Sequence, residues 1–515
     1  MTTIAWYGLD FAKGVEMAGQ TEHLKEAVKW GCDYLLKCHE KGTDVFYMQV
    51  GDGDIDHKYW KAVEDIDYDV PSFFVNTEKP GSEVTGETAA AFAAASLLFK
   101  DSDPEYSATL LDQAVEWFNF ADTYRADYSR SVPKAASYYK SWNGYKDELA
   151  WAAVWLYKAL GDEKYLEEAK DLVKDYELGE LGFDWDSKYQ STIVILAQLG
   201  VPEYVEKVET WVRDVCEGRL GNITPGGLFV NANSEWGSLR RATAMAASLI
   251  FYTHTLPEGN ELREMAKKFA KSQADYVQGE NPLGIDFVVG ADASSPKSVH
   301  HRTASGAACT DCEPLENVHI IYGALAGGPD ENDEYLDVRA DYQKNEVALD
   351  YNVCYAAVCA YLVEEGLNVE DPVPVWEYDY RLMKADLEPE TEVETETPEV
   401  EPEIETPEVE PETEVETDVP EPETCWSEKL GFPCCPANRC KVYFTDNDGK
   451  WGFTQGNWCG IDEEVCKEVL SGSCWANTLG YRCCAEGCNA AVVLEDDSGK
   501  WGVQDSEWCG IPTDC

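Results

Sequence analysis

Residues 1 to about 365 repeat one pattern, and it limits the folds open to them. Apolar side chains recur at helical spacing in AAAFAAASLLF (89–99), TLLDQAVEWFNFADTY (109–124), DELAWAAVWLYKAL (147–160), EYVEKVETWVRDV (203–215), SLRRATAMAASLIFYT (238–253) and NEVALDYNVCYAAVCAYLV (345–363). Several of these stretches are apolar nearly all round, which suits helices enclosed on every side. Convincing strand alternation is absent. Gly and Pro clusters, EKPGSE (78–83), ITPGGL (223–228) and GENPLG (279–284), mark the loops between helices. Many antiparallel helices in one large body predict a double-layered helical barrel.

The remainder of the chain obeys different rules. From Glu388 to Glu423 it is almost entirely Glu, Thr, Pro and Val, without Lys or Arg. A segment of that kind repels itself and cannot bury a core, so residues 386–424 read as an extended linker. Twelve of the nineteen cysteines follow it. They fall in two copies of one module, at 425–466 and 474–515. CWSEKLGFPCC…DNDGKWG…NWCGI in the first matches CWANTLGYRCC…DDSGKWG…EWCGI in the second. Cores this small need covalent staples, so the copies read as disulfide-rich β modules made in an oxidising compartment. DNDGKWG and DDSGKWG read as tight turns joining short strands. Cys309 and Cys312 form an isolated CxxC pair, read as a local disulfide or two free thiols. A net charge of −57 excludes a nucleic-acid partner. No apolar run of about twenty residues exists to span a membrane.

The chemistry concentrates in YLDVRADYQKNEVALDYN (335–352). Asp337 and Glu346 lie among Tyr335, Tyr342 and Tyr351. Two carboxyl groups are what glycosidic cleavage requires, one to protonate the leaving oxygen and one to activate water or attack the sugar. Aromatic faces beside them suit the apolar C–H face of a sugar ring. The pattern aromatic-x-Asp-x4-aromatic-x3-Glu-x-Ala-x3-Asn resembles the active-site signature of glycoside hydrolase family 9, the inverting cellulases, with Val353 standing where a small residue is usual. FVVGADASSPKSVHHRTA (287–304) resembles the family's other signature, and the resemblance extends along the whole helical region.

That resemblance implies an (α/α)6 barrel over residues 1–366 that hydrolyses cellulose or a related β-glucan and needs no cofactor for the chemistry. It assigns the general acid to Glu346, the supporting acidic position to Asp337, and sugar-contacting active-site positions to His300 and Arg302. Trp60, Trp142 and Trp236 become candidates for stacking along an open cleft. Asn143, Gly144, Asp147 and Glu148, with Asp186 as a later partner, match a segment through which some members bind structural calcium; hard oxygen ligands suit that ion. The alternative for Asp147 and Glu148 is an acidic pair favoured by the dipole of the helix they begin. The cysteine-rich repeats resemble the dockerins of anaerobic gut fungi, which implies a scaffoldin-type partner in a cellulosome and a secreted protein.

The family carries its catalytic base in an Asp-Ala-Gly-Asp motif near the N-terminus. None of the 515 residues forms that motif, and no signal peptide is visible. The barrel is therefore expected to be incomplete at its N-terminus. The rival reading is a carbohydrate-binding or scaffold-associated pseudoenzyme. An inverting hydrolase without its base cannot activate water. Assayed on carboxymethylcellulose, this polypeptide is expected to turn over far more slowly than a form that carries the motif.

Overall fold

The computed structural model describes residues 1–366, except 181 and 233, and short stretches between 427 and 510. Two compact units divide the chain, Met1–Lys384 and Ala385–Cys515. The linker expected at 386–424 lies outside the described residues.

The first unit is helical, and burial sorts its helices into two sets. All sixteen residues of Ser238–Thr253 are buried. Ser82–Phe99, Lys146–Leu160 and Tyr189–Gln198 are enclosed over most of their surface. These three, with Thr2–Asp10, Ser238–Thr253 and Leu349–Glu364, touch in sequence: each contacts the next, and the last returns to the first. Six inner helices thus close a ring. Thr21–Cys38, Pro104–Thr123, Glu163–Val173, Pro202–Cys216 and Glu261–Val277 lie outside it and bury one stripe each. Pro202–Cys216 is typical, burying Tyr204, Val208, Trp211, Val212 and Val215 at helical spacing. This is the (α/α)6 barrel that the sequence predicts.

Inside the ring the largest side chains meet. Trp6 stacks on Phe251 with ring centroids 3.7 Å apart and also packs against Trp151 and Trp155. The tilted and edge contacts to the two tryptophans add to the burial energy of each ring. Short connections join inner to outer helices, such as Gly161–Asp162 with Gly161 in the left-handed region. An inner helix, an outer return and the next inner helix follow one another, so the inner helices run the same way. Their N-termini gather at one rim.

The structure corrects the sequence reading in two places. The last inner helix begins at Leu349 rather than 345, so Glu346 stands on the loop before it. Two small antiparallel hairpins, Phe46–Val50 with Ser72–Val75 and Asn222–Ile223 with Phe229–Val230, occur where no strand is expected. They are too short to show alternation, and in the first only Phe46 and Val75 are buried. Cys309 and Cys312 form a disulfide.

In the second unit, Lys450–Thr454 pairs with Phe444–Thr445 and Asn457–Gly460. Gly499–Gln504 pairs with Leu494–Asp496 and Glu507–Gly510. Trp451 stands opposite Gly460 and Trp501 opposite Gly510, so the two repeats share one register. Thr445 pairs with Lys450 and Asp496 with Gly499; the residues between them, 446–449 and 497–498, lie outside the described residues. Cys434 is disulfide-bonded. Among the described residues no helix is long and apolar enough to cross a membrane.

One buried carboxyl at the rim sets a pH dependence. Glu83 is 4% exposed; its Oε2 accepts from Tyr128 N at 2.9 Å, and its Oε1 has no partner. Burial pushes its pKa up from 4.5 to about 7. Between those values the folded protein keeps a proton that the unfolded chain releases, so stability falls as pH rises and levels off above 7. Glu83→Gln removes this term. The stability gained over wild type in denaturant melts should grow from near zero at pH 4 to at most about 3 kcal/mol at pH 8.

Candidate active site

The loop that carries Glu346 is fixed before the side chain is placed. Tyr342–Asn345 is a single helical turn capped by the Asp341 carboxylate. Asn345 is fully buried: its amide donates to Leu336 O and Asp341 O, and its oxygen accepts from Tyr335 OH. Below the turn runs Gly327, where an added Cβ would come within 2.8 Å of the carbonyls of Gln343 and Lys344. Only glycine allows that approach. Gly237 N and Gly328 N donate to those same two carbonyls, so the turn rests on the loops before two elements of the barrel.

Glu346 follows in extended conformation (φ −63°, ψ 147°). Trp236 Nε1 donates to its Oε2 at 2.7 Å and Tyr351 OH to the same oxygen at 3.2 Å. Burial, with the Glu346 charge beside it, pushes the Tyr351 pKa up, so the phenol stays a donor. Arg240 braces both donors: it lies over the Tyr351 ring, bonds the carbonyl of Trp236 and pairs with Asp350 at 3.0 Å. Burying Arg240 is tolerable because Asp350 supplies the opposite charge.

His300 lies alongside, its backbone bridged to Glu346 and its N–H donating to Asn345 O at 2.8 Å. Its Nδ1 is 2.7 Å from Arg339 O. A carbonyl only accepts, so Nδ1 carries the proton. The ring meets Trp60 edge-on at 4.8 Å, and Trp60 Nε1 donates to Ser305 Oγ. Asp337 faces the backbone: its oxygens accept from Lys297 N (2.8 Å) and Ser298 N (2.9 Å), clamping the segment that leads to His300. It is thus a positioning group in this geometry. Arg302 grips both oxygens of Asp56 and the carbonyls of Asp56 and Tyr59. Its donors are largely committed to protein. Asp52 and Asp54 of the same loop pair with Lys134.

Trp236 is 42% and Trp142 72% exposed, so neither is a core residue. Trp142 lies on a different loop from Glu346. Its backbone N–H and the Asn143 amide donate to the two oxygens of Asp186. Gly144 turns the chain in the left-handed region. Asp147 and Glu148 are buried at the start of Lys146–Leu160; Asp147 Oδ2 accepts from Lys188 N at 2.8 Å. Asp147 Oδ1 and Glu148 Oε2 are buried without partners. Burial pushes Asp147 up to about 6, and burial with the Asp147 charge beside it raises Glu148 well above its ordinary value. Among the described residues no three His, Cys, Asp or Glu side chains converge as a metal cage. Four of the five candidates therefore divide into an Asn143–Asp186 pair and an Asp147–Glu148 pair, with Gly144 turning the chain between them. The orphaned oxygens of the second pair would accept a hard cation.

A cavity of 630 Å³ is lined by Tyr138, Tyr139, Trp185 and Asp186, and one of 390 Å³ by Trp185, Arg240, Leu349 and Asp350. Trp185 borders both; Glu346 lines neither, but Arg240 of the smaller one braces its two donors. Sequence reasoning passed over Trp185, Arg240, Arg339 and Asn345. Arg339 and Asn345, inside the signature stretch 335–352, had a local signal.

A family profile described as Glycosyl hydrolase family 9 matches residues 1–359. The chain belongs to that family. A profile described as a cellulose or protein binding domain matches 424–461 and 473–511, the two repeats. Endoglucanase B of Cellulomonas fimi is 38% identical over 71% of this chain and 36% of its own length. The chain spans 36%, 51% and 56% of the first three curated relatives it matches. Among solved structures, an endoglucanase from the termite Nasutitermes takasagoensis is 37% identical with a TM-score of 0.64, over 71% of this chain and 84% of that one. Endoglucanase CelQ of Clostridium thermocellum, complexed with cellobiose and cellotriose, is 33% identical with a TM-score of 0.64, over 72% of this chain and 63% of that one.

Proposed function

We propose that the helical domain, taken as residues 1–366, is the catalytic domain of an inverting endo-β-1,4-glucanase acting on cellulose. The observation that carries this reading is the carboxyl of Glu346, with both hydrogen-bond donors on one of its oxygens and both donors resting on Arg240, which lines the smaller cavity. Trp236 and Tyr351 occupy Oε2, which leaves Oε1 to hold the proton destined for the glycosidic oxygen. Trp236, Trp142 and Trp60 offer aromatic surface to glucose rings. His300 and Arg302 shape the same wall. The water-activating base belongs to the family's Asp-Ala-Gly-Asp motif. Named endoglucanases among the relatives, and CelQ with its bound cello-oligosaccharides, support the substrate class.

The repeats, taken as 425–466 and 474–515 beyond a 386–424 linker, are proposed to be dockerins that tether a secreted enzyme to a scaffoldin. The doubled CC, GKWG and WCGI motifs support this, and the matching profile allows a protein partner.

Calcium at Asp147 and Glu148, with Asn143, Gly144 and Asp186 nearby, is proposed as a structural ion. It would neutralise two desolvated carboxylates and supply no chemistry. Bound calcium should raise Tm at pH 7.5, and chelation should reverse the gain. The gain should shrink at pH 5, where protons replace the metal.

For the catalytic role, Glu346→Gln in a form carrying the Asp-Ala-Gly-Asp motif should lower kcat on carboxymethylcellulose by at least about 100-fold, the worth of a general acid, and leave cello-oligosaccharide binding near wild type. Unchanged hydrolysis would sink the assignment.

A further inference from the structure

Arg339 is a buried cation with an unusual set of partners. It is 3% exposed and makes no ion pair among the described residues, although the Asp311 charge of the same loop acts on it. Its guanidinium donates to five acceptors on one loop: Nε to Asn317 Oδ1 (3.1 Å), Nη1 to Thr310 O and Cys312 O (3.4 Å each), and Nη2 to Pro314 O and Leu315 O (2.7 Å each). Four backbone carbonyls and an amide thus surround one charge, and the loop they belong to is clipped by the Cys309–Cys312 disulfide. Asn317 also donates from its backbone to Lys297 O and from its amide to Val299 O. The loop is therefore tied to the segment that ends at His300.

The same residue holds His300 through its other end. Arg339 O accepts the Nδ1 proton, which leaves Nε2 of the neutral ring as a bare acceptor. A sugar hydroxyl is a donor that such a nitrogen can bind. If Arg339 O swung away, Nδ1–H would lose its acceptor and the proton would redistribute between the two nitrogens. Fixing the carbonyl fixes the tautomer.

We propose that Arg339 is a positioning residue: its side chain, locked in the carbonyl cradle of the disulfide-clipped loop, holds its carbonyl against His300 and presents His300 Nε2 as a hydroxyl acceptor to the glucan. This rests on the β-glucan reading for the ligand, but the tautomer does not depend on it. Lysine keeps the charge at 339 yet presents one ammonium to five acceptors spread over a plane. Loss of the disulfide loosens the same cradle from outside and leaves Arg339 in place.

The test uses the full chain labelled with 15N-histidine. The His300 signals are assigned by their loss in His300→Gln, and cellotetraose affinity is measured by calorimetry. Wild type should show a protonated Nδ1 and an unprotonated Nε2 at neutral pH. Arg339→Lys and the double variant Cys309→Ser/Cys312→Ser should show mixed tautomers and bind cellotetraose about tenfold more weakly, the worth of one hydrogen bond. A protonated Nε2 in wild type overturns the proposal. So does a single unchanged tautomer with undiminished affinity in a folded variant. A Tm loss alone, without the spectral change, would mark Arg339 as structural and also overturn it. Wild type that shows the expected tautomer but binds no cellotetraose would remove the β-glucan reading and leave the Arg339–His300 linkage standing.

Discussion

Enclosure on all sides is the constraint from which the rest of this domain follows. A helix such as Ser238–Thr253, with every residue buried, has no face left for chemistry. Six inner helices in a closed ring, four of them enclosed over most of their surface, push polar function to their ends. Because outer helices make the returns, the six N-termini share a rim. Each N-terminus carries partial positive charge and unsatisfied N–H groups. The residues that precede or begin these helices are the site itself: Glu83, Asp147 and Glu148, Asp186, Trp236 and Glu346. Acidic side chains collect where the backbone already favours negative charge.

Within that rim, Glu346 is held by one neighbour distant in sequence and one five residues away. Trp236 belongs to the loop before one inner helix and Tyr351 to the first turn of another. Both depend on Arg240, which depends on Asp350. His300 and Asp337 form a second wall built mostly from backbone contacts. One wall positions through side chains and the other through carbonyls and amides.

That difference explains what could be read from the sequence. The barrel was legible because all-round apolarity over ten to twenty residues has few other uses, and the one-sided stripes of outer helices such as Pro202–Cys216 are equally clear. Glu346, Asp337, His300 and Arg302 were legible as motif positions, but their geometry was not. The apolar run after Glu346 hid the break at Ala348 that sets the acid on a loop. Trp236 and Glu346 are 110 positions apart, and no local pattern announces a pairing of that reach. Arg339 stood inside the signature stretch, yet its role was not legible, since four of its five partners are carbonyls, which every residue possesses.

Confining the chemistry to one rim leaves the opposite rim spare. The turn at Gly259, between Ser238–Thr253 and Glu261–Val277, is exposed and in the left-handed region, with nothing near the position of an added Cβ. A surface-immobilised form anchored there would face its cleft toward the liquid, so orientation on a solid support is already written into the polarity of the ring.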